Sequence, residues 1–174
     1  MRKLLASVIF INDYQIFIDS MKVTIAKTCN TGKGIFAIQD VKKGEDIFTF
    51  RGKIVRDRDY ARKLKCTLQI GKNLWVDPEI GSFGRYINHS CSPNAGIRGK
   101  QKIVAMKNIK RGEEVTLDYS ITDDDPQWKI KCKCQSKNCR KLIKSIQFLP
   151  KGPYKKYEPF IPKFLQKSYK LTSN

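Results

Sequence analysis

Short apolar runs, each about five residues long and set off by glycine, asparagine or lysine-glycine, dominate the hydrophobic pattern of this chain. Residues 22–26, 34–38, 46–50, 102–106 and 114–118 are rich in branched and aromatic side chains, which suit a half-buried pleated strand. Two turns look alike, Val41-Lys-Lys-Gly-Glu45 and Ile109-Lys-Arg-Gly-Glu113, and each precedes a strand-like run as a hairpin corner does. One helix is predicted over 56–65, where polar starts precede Tyr60 and Leu64, four residues apart. Asp123-Asp-Asp-Pro126 is an acidic break. Beyond Leu149, Pro150, Pro153, Pro159 and Pro162 fall among Lys, Tyr and Phe, which predicts an irregular tail ending in a short helix near 163–169. Its aromatics Tyr154, Tyr157, Phe160 and Phe164 are expected to pack on the domain. The pattern predicts a mainly β fold of small sheets with few short helices.

Composition narrows this picture. A chain of 174 residues suits one monomeric domain, long enough to remove roughly 70% of its unfolded surface from solvent. Hydrophobic residues make up 40% and charged residues 29%, and no apolar run reaches the roughly 18 residues of a membrane span. Arg2 and Lys3 before the run at 4–11 faintly resemble a signal peptide, but no small-residue cleavage site follows. Met21 opens a cleaner start, so residues 1–20 read as a peripheral strand or an upstream extension. The 35 basic and 16 acidic residues give a net charge of +19. Such a surface attracts polyanions, nucleic acid first, although scattered lysines also make an ordinary solvated surface.

Three clusters carry chemistry. The first is Asn88-His89-Ser90-Cys91-Ser92-Pro93-Asn94, a rigid polar loop containing the only histidine. Read alone, His89 is a structural hydrogen-bonding residue. The second is Cys132-Lys-Cys134-Gln-Ser-Lys-Asn-Cys139, whose thiolates, two and five residues apart, suit one tetrahedral ion. Structural zinc normally takes four ligands, and Cys91 is the best candidate for the fourth, ahead of Cys29 and Cys66. Metal thiolates imply a reducing, intracellular compartment. The third is Glu113-Glu-Val-Thr-Leu-Asp-Tyr119, read plainly as an amphipathic strand ending in a tyrosine. Gly32-Lys33-Gly34 is neither a P-loop nor a dinucleotide fingerprint.

Together these clusters resemble the SET-domain protein lysine methyltransferases. Arg85-Tyr-Ile-Asn-His-Ser-Cys-Ser-Pro-Asn94 matches the family's Arg-Phe-x-Asn-His-Ser-Cys-x-Pro-Asn signature with Tyr86 for Phe. Gly32-Lys-Gly-Ile-Phe-Ala37 is similar to its Gly-x-Gly segment, and Lys43-Gly-Glu45 to Phe50-Arg-Gly-Lys-Ile54 to the following strand pair. Residues 114–119 match Glu-Leu-Thr-Phe-Asp-Tyr, and 132–139 match the Cys-x-Cys-x4-Cys post-SET motif. The resemblance runs from about residue 21 to 142. It divides the chain into an extension (1–20), a SET domain (21–122), a post-SET zinc segment (123–142) and a basic, aromatic tail (143–174), with no pre-SET cysteine cluster.

The resemblance implies a β-clip fold of small curled sheets with a C-terminal pseudoknot that places Asn88 and His89 beside Tyr119. It implies an S-adenosylmethionine site at Gly32, Lys33, Gly34, Tyr86, Asn88 and His89, and a lysine channel entered from the opposite face, at Leu117 and Tyr119. Tyr119 is the implied catalytic residue, and one structural Zn2+ on Cys91, Cys132, Cys134 and Cys139 takes no part in methyl transfer. Leu117 stands where the family usually has Phe or Tyr, which leaves the number of methyls open. The insert at 56–72 is expected to frame the substrate groove, and Asp123, Asp124 and Asp125 to supply an acidic face for a basic protein substrate such as a histone or another nucleic-acid-associated protein. The alternative is a non-catalytic zinc module that binds nucleic acid through its charge, or a SET scaffold.

Overall fold

The structure, a computed structural model, describes residues 21–29 and 32–172. The reading of residues 1–20 lies outside the described residues. Among the described residues, twelve short strands form four small sheets. In the first, β1 (Val23–Lys27) pairs with β2 (Lys33–Ala37), and the order is completed by β10 (Glu114–Leu117) and β7 (Asn88–His89). In the second, β3 (Asp46–Thr49) and β8 (Ala95–Arg98) flank β9 (Lys102–Ala105). The third sets β4 (Gly52–Val55) and β5 (Leu68–Gly71) on either side of β6 (Leu74–Pro78). The fourth is a ribbon of β11 (Lys129–Lys131) and β12 (Leu142–Lys144). The five strands expected from residue type lie within one residue of their predicted bounds. Strands β5, β6 and β8 escape that pattern because glycine, glutamine and charged residues interrupt their apolar runs.

The two look-alike turns are partners. Val41 and Ile109 exchange both backbone hydrogen bonds at 2.8 Å. Each turn then closes in the same way: Glu45 N–H donates to the Lys42 carbonyl and Glu113 N–H to the Lys110 carbonyl. Gly44 (φ 87°) and Gly112 (φ 85°) occupy the left-handed region that glycine enters without Cβ strain. Val41 and Ile109 are buried, so this joint ties the first and second sheets through the core.

The helix predicted in the insert is α1 (Arg58–Lys63), capped by Asp57, whose carboxylate accepts the Tyr60 N–H at 2.7 Å. Its buried side is not the expected Tyr60–Leu64 stripe. Tyr60 is 55% exposed, while Ala61 and Leu64 pack with Val55 and Trp75.

The tail is ordered before residue 163, contrary to the expectation of an irregular segment, and the short helix expected near 163–169 is present. It forms α2 (Lys151–Tyr157) and α3 (Lys163–Thr172), with 3-10 turns at Ile146–Phe148 and Glu158–Phe160. Its prolines start elements instead of breaking them. Pro150 caps α2, Pro153 lies in its first turn, Pro159 opens a 3-10 turn and Pro162 precedes α3, all positions that need no N–H donor. As expected, the aromatics pack inward. Tyr154 and Tyr169 stack with ring centroids 3.6 Å apart, Tyr157 is buried with its hydroxyl 3.3 Å from the Cys91 carbonyl, and Phe164 lies against the core. Phe160 sits so close to Gly96 that a Cβ at Gly96 would lie 2.5 Å from its own. The ribbon β11–β12 also crosses the expected boundary at residue 142.

Leu165 is fully buried in the main core. Leu165→Ala is expected to lower unfolding free energy by about 2–5 kcal/mol, measured by urea titration. Tyr60→Ala, on the exposed face of α1, is expected to change it by less than about 0.5 kcal/mol.

Candidate active site

Strand β7 pairs in parallel with β10, setting Asn88 opposite Thr116 and His89 opposite Leu117. A parallel pair needs a long crossover, and this one brings together residues about 30 positions apart, as the expected pseudoknot requires. Asn94 holds the loop in place. Buried and 7% exposed, its amide donates to the Glu114 carbonyl at 2.7 Å and its oxygen accepts the Thr116 N–H at 2.8 Å. The Ser90 N–H donates to the Leu117 carbonyl at 2.8 Å.

Tyr119 follows directly. Its N–H donates to His89 Nδ1 at 3.0 Å, its ring lies 5.2 Å from the His89 ring, and its hydroxyl donates to the Ile87 carbonyl at 2.8 Å. Burial raises the phenol well above its ordinary range, with Cys66 and Glu114 adding to the shift. The hydroxyl therefore stays protonated at neutral pH.

Tyr119 and Leu117 also line a cleft of about 740 Å³, open to solvent, with Phe50, Trp75, Ile87 and Trp128 as its main apolar walls. Helix α1 contributes Arg58, Ala61 and Arg62 to the same cleft, so the insert does frame it. Gly32, Lys33, Gly34, Tyr86, Asn88 and His89 do not line this cleft. They meet elsewhere: the Asn88 amide donates to the Lys33 carbonyl at 3.0 Å and to Glu114 Oε1 at 2.7 Å, and the Lys33 ammonium stands 5.6 Å from the Tyr86 ring centroid. A Cβ on Gly34 would lie 2.4 Å from Glu114 Oε1 and 2.9 Å from the Asn88 amide nitrogen, so a larger residue here would displace these side-chain ends. Tyr119 is thus in contact with both surfaces, through its hydroxyl side and through His89.

On the other side of His89 lies the cysteine cluster. Ligand atoms of His89, Cys91, Cys132 and Cys134 all fall within 4.8 Å of one another. Cys91 Sγ is 3.8 Å from Cys132 Sγ, the edge of a tetrahedron with metal–sulfur bonds of ~2.3 Å. Backbone N–H groups of Cys91, Cys134 and Arg140 point at sulfurs at 3.3–3.4 Å. Burial opposes ionisation of Cys134, yet hydrogen bonds from Ser136 and the Cys91 N–H hold its thiol down at about 6. Three thiols and one imidazole at this spacing could hold a metal ion, and the thiol-rich donor set suits zinc. Cys139 lies outside the mutual group of four, although its thiol hydrogen-bonds with Cys132. Cys29 is exposed and Cys66 lines the cleft, so neither joins the cluster.

The chemistry of His89 separates it from the ligands. Burial pushes its pKa down to about 4, with Asp118 opposing and Arg140 assisting. The ring is therefore neutral at pH 7, and Nδ1 is occupied in accepting from Tyr119. The proton then resides on Nε2, which lies 3.3 Å from Cys91 Sγ. A protonated nitrogen donates to sulfur and does not coordinate metal, which argues for Cys139 over His89 as a fourth donor.

Sequence reasoning missed a buried pair. Asp118, fully buried, accepts from Ser120 N–H at 3.0 Å and from Arg140 Nη2 at 2.5 Å. Asp118 Oδ2 and Arg140 Nε are buried without a hydrogen-bond partner. Arg140 follows Cys139 directly, and that adjacency was the available signal. The acidic run is engaged within the molecule, and Asp123 and Asp125 also line the cleft. Asp123 accepts from Trp75 Nε1 at 2.9 Å, and burial raises its carboxyl. Asp124 accepts from Gln69 at 3.0 Å and from Ser168 at 3.0 Å. Arg62 clasps both oxygens of Asp125, at 2.5 and 2.9 Å. These carboxylates bind the molecule to itself.

A family model described as the SET domain matches residues 32–120. The histone-lysine N-methyltransferase trithorax of Drosophila virilis is 36% identical over 129 residues, covering 64% of this chain and 3% of that protein. The H3 lysine-36 specific histone-lysine N-methyltransferase of Candida albicans is 32% identical over 140 residues, covering 70% of this chain and 16% of that protein. This chain therefore spans a small part of these relatives. Among solved structures, KRYPTONITE in complex with mCHG DNA and SAH superposes with TM-score 0.57 at 23% identity, over 71% of this chain and 29% of that one. The methyltransferase domain of human SETMAR does so with TM-score 0.57 at 22% identity, over 71% and 58%. Both show the likeness of the fold.

The hydrogen-bond argument at His89 predicts a zinc stoichiometry that distinguishes two variants. Cys139→Ser is expected to lose most of the bound zinc, and His89→Gln to keep about one ion per chain, as counted by plasma mass spectrometry of purified protein. Loss of zinc in His89→Gln with retention in Cys139→Ser would reverse the assignment.

Proposed function

The chain belongs to the SET-domain family, and on that premise we propose that it methylates the side-chain amine of lysine in a protein substrate. The observation that carries this reading is the position of Tyr119, whose hydroxyl is fixed at the wall of an apolar cleft while its backbone is fixed to the loop of Asn88 and His89. S-adenosylmethionine, the family's methyl donor, supplies an electrophilic methyl group on a sulfonium. Its proposed holders are Gly32, Lys33, Gly34, Tyr86, Asn88 and His89.

The residues of the cleft then account for the acceptor. A lysine side chain carries a proton up to pH ~10.4, and only its neutral form has a lone pair to donate. An apolar channel walled by Phe50, Trp75, Ile87 and Leu117 disfavours the cation and favours the neutral amine. Confinement aligns that amine with the methyl group and excludes water. Tyr119 is a fixed hydroxyl that orients the amine; as a phenol held protonated by burial, it is not the base. Zinc on Cys91, Cys132, Cys134 and Cys139 is structural and holds the C-terminal segment against the loop.

The proposed substrate is a basic, nucleic-acid-associated protein, in keeping with the histone-lysine activity named for the curated relatives. A cluster of zinc thiolates suits a reducing, intracellular compartment, and such a substrate adds chromatin as the site of action.

With methyl-labelled donor and a mixture of histones, transfer to lysine is expected, located by mass spectrometry. Tyr119→Phe is expected to lower kcat by about 10²-fold or more while donor binding, measured by calorimetry, stays within about threefold. Full activity in Tyr119→Phe would remove the tyrosine from the mechanism. The pH–rate profile is expected to rise with lysine deprotonation and to show no second break from a tyrosine.

A further inference from the structure

The charge of this protein is not spread evenly. Residues 129–174 hold thirteen of its lysines and arginines and a single acidic residue, Glu158. That segment carries a net +12 of the overall +19. It begins with the β11–β12 ribbon, in which Lys129 stands directly opposite Lys144 and Lys131 opposite Leu142. Like charges placed across a ladder repel one another. Among the described residues, Lys129, Lys131, Lys133, Lys137, Lys141 and Lys144 make no ion pair. All except Lys144 are exposed.

The backbone beneath these lysines is pinned. Ile143 is fully buried, the Lys144 carbonyl accepts from Ser120 Oγ at 2.6 Å, and the Cys132 N–H donates to the Lys141 carbonyl at 2.7 Å. The ribbon is thus a rigid, uncompensated row of cations fixed to the metal cluster. We infer that the outward face of β11–β12, with the cysteine loop it carries, is a docking surface for the phosphate backbone of duplex DNA. Six free cations on a fixed frame match a dense polyanion, and a rigid frame lowers the ordering cost of binding. A single strand fits less well, because it is gripped by exposed aromatic rings on which bases stack. Among the described residues the exposed aromatics are Tyr60, on α1, and Phe148, which the Lys144 ammonium covers at 4.7 Å.

The inference rests on the proposed basic substrate and removes a difficulty in it. Asp123 and Asp125 line the cleft, with Asp125 held by Arg62, but the overall charge of +19 still repels a free basic tail at long range. Duplex DNA bridging the ribbon and a DNA-bound substrate cancels that repulsion, and Trp128 of the cleft wall is adjacent to Lys129.

The test is fluorescence anisotropy of a short labelled DNA duplex with the zinc-loaded full chain, across a salt series. Wild type is expected to bind duplex DNA with a steep salt dependence. The triple variant Lys129→Gln, Lys131→Gln and Lys137→Gln is expected to raise Kd at least about tenfold and to flatten the log–log salt slope by about 2–3, near 0.9 per lost phosphate contact. A charge-matched control, Lys43→Gln, Lys100→Gln and Lys107→Gln, is expected to stay within about twofold. Zinc content and methyl transfer to a free peptide are expected to be unchanged in both. Equal losses in the two triples, tighter wild-type binding to single-stranded DNA, duplex RNA or phosphatidylserine vesicles, or no binding of duplex DNA near physiological salt would each overturn the proposal. DNA binding without methyl transfer to any substrate would leave the surface standing and count against the enzymatic reading alone.

Discussion

One neutral imidazole joins the two halves of this molecule. His89 accepts the Tyr119 N–H on one ring nitrogen and faces the Cys91 sulfur with the other. Tyr119 and the cysteine cluster are therefore held at a fixed separation by a single planar group. Charging that ring would remove its acceptor nitrogen and set a cation close to Arg140, and burial prevents this at neutral pH. The parallel pairing of β7 with β10 and the bonds of Asn94 exist to deliver His89 to this position.

Beside it, Asp118 and Arg140 make a costlier connection. Two charges leave water, and one polar atom on each finds no hydrogen-bond partner. Such a pair contributes little net stability, yet losing either member strands the other. Its value lies in register. Asp118 precedes the tyrosine and Arg140 follows the last cysteine, so the pair couples the placement of the two motifs. The Arg62–Asp125 clasp does the same for the insert, at the rim of the cleft.

Much of this was legible in the sequence because local chemistry and tertiary role coincide. Strand runs such as 22–26 and 114–118 follow residue type, and Gly44 and Gly112 announce their turns. The signature around Asn88, His89 and Tyr119 makes the site recognisable through its family resemblance. What stayed hidden depends on partners far away in sequence. Prolines in the tail read as breakers until their positions at helix starts are known. Tyr60 and Leu64 share helical spacing, but only the presence of Trp75 decides that Ala61 turns inward. The partition between His89 and Cys139 is set by a backbone N–H thirty residues from the histidine, which no motif encodes.

The tail's part in the core has a consequence for how this protein is made. Synthesis is vectorial, and the loop carrying Cys91 leaves the ribosome well before Tyr157, whose hydroxyl bonds the Cys91 carbonyl, and before Tyr169, which stacks on Tyr154. The crossing of β7 and β10 can form on the nascent chain, but its covering layer is not yet there. A translation intermediate thus displays reactive thiols and an open apolar face together. Completion of the last helix buries that face and closes the window for oxidation and aggregation.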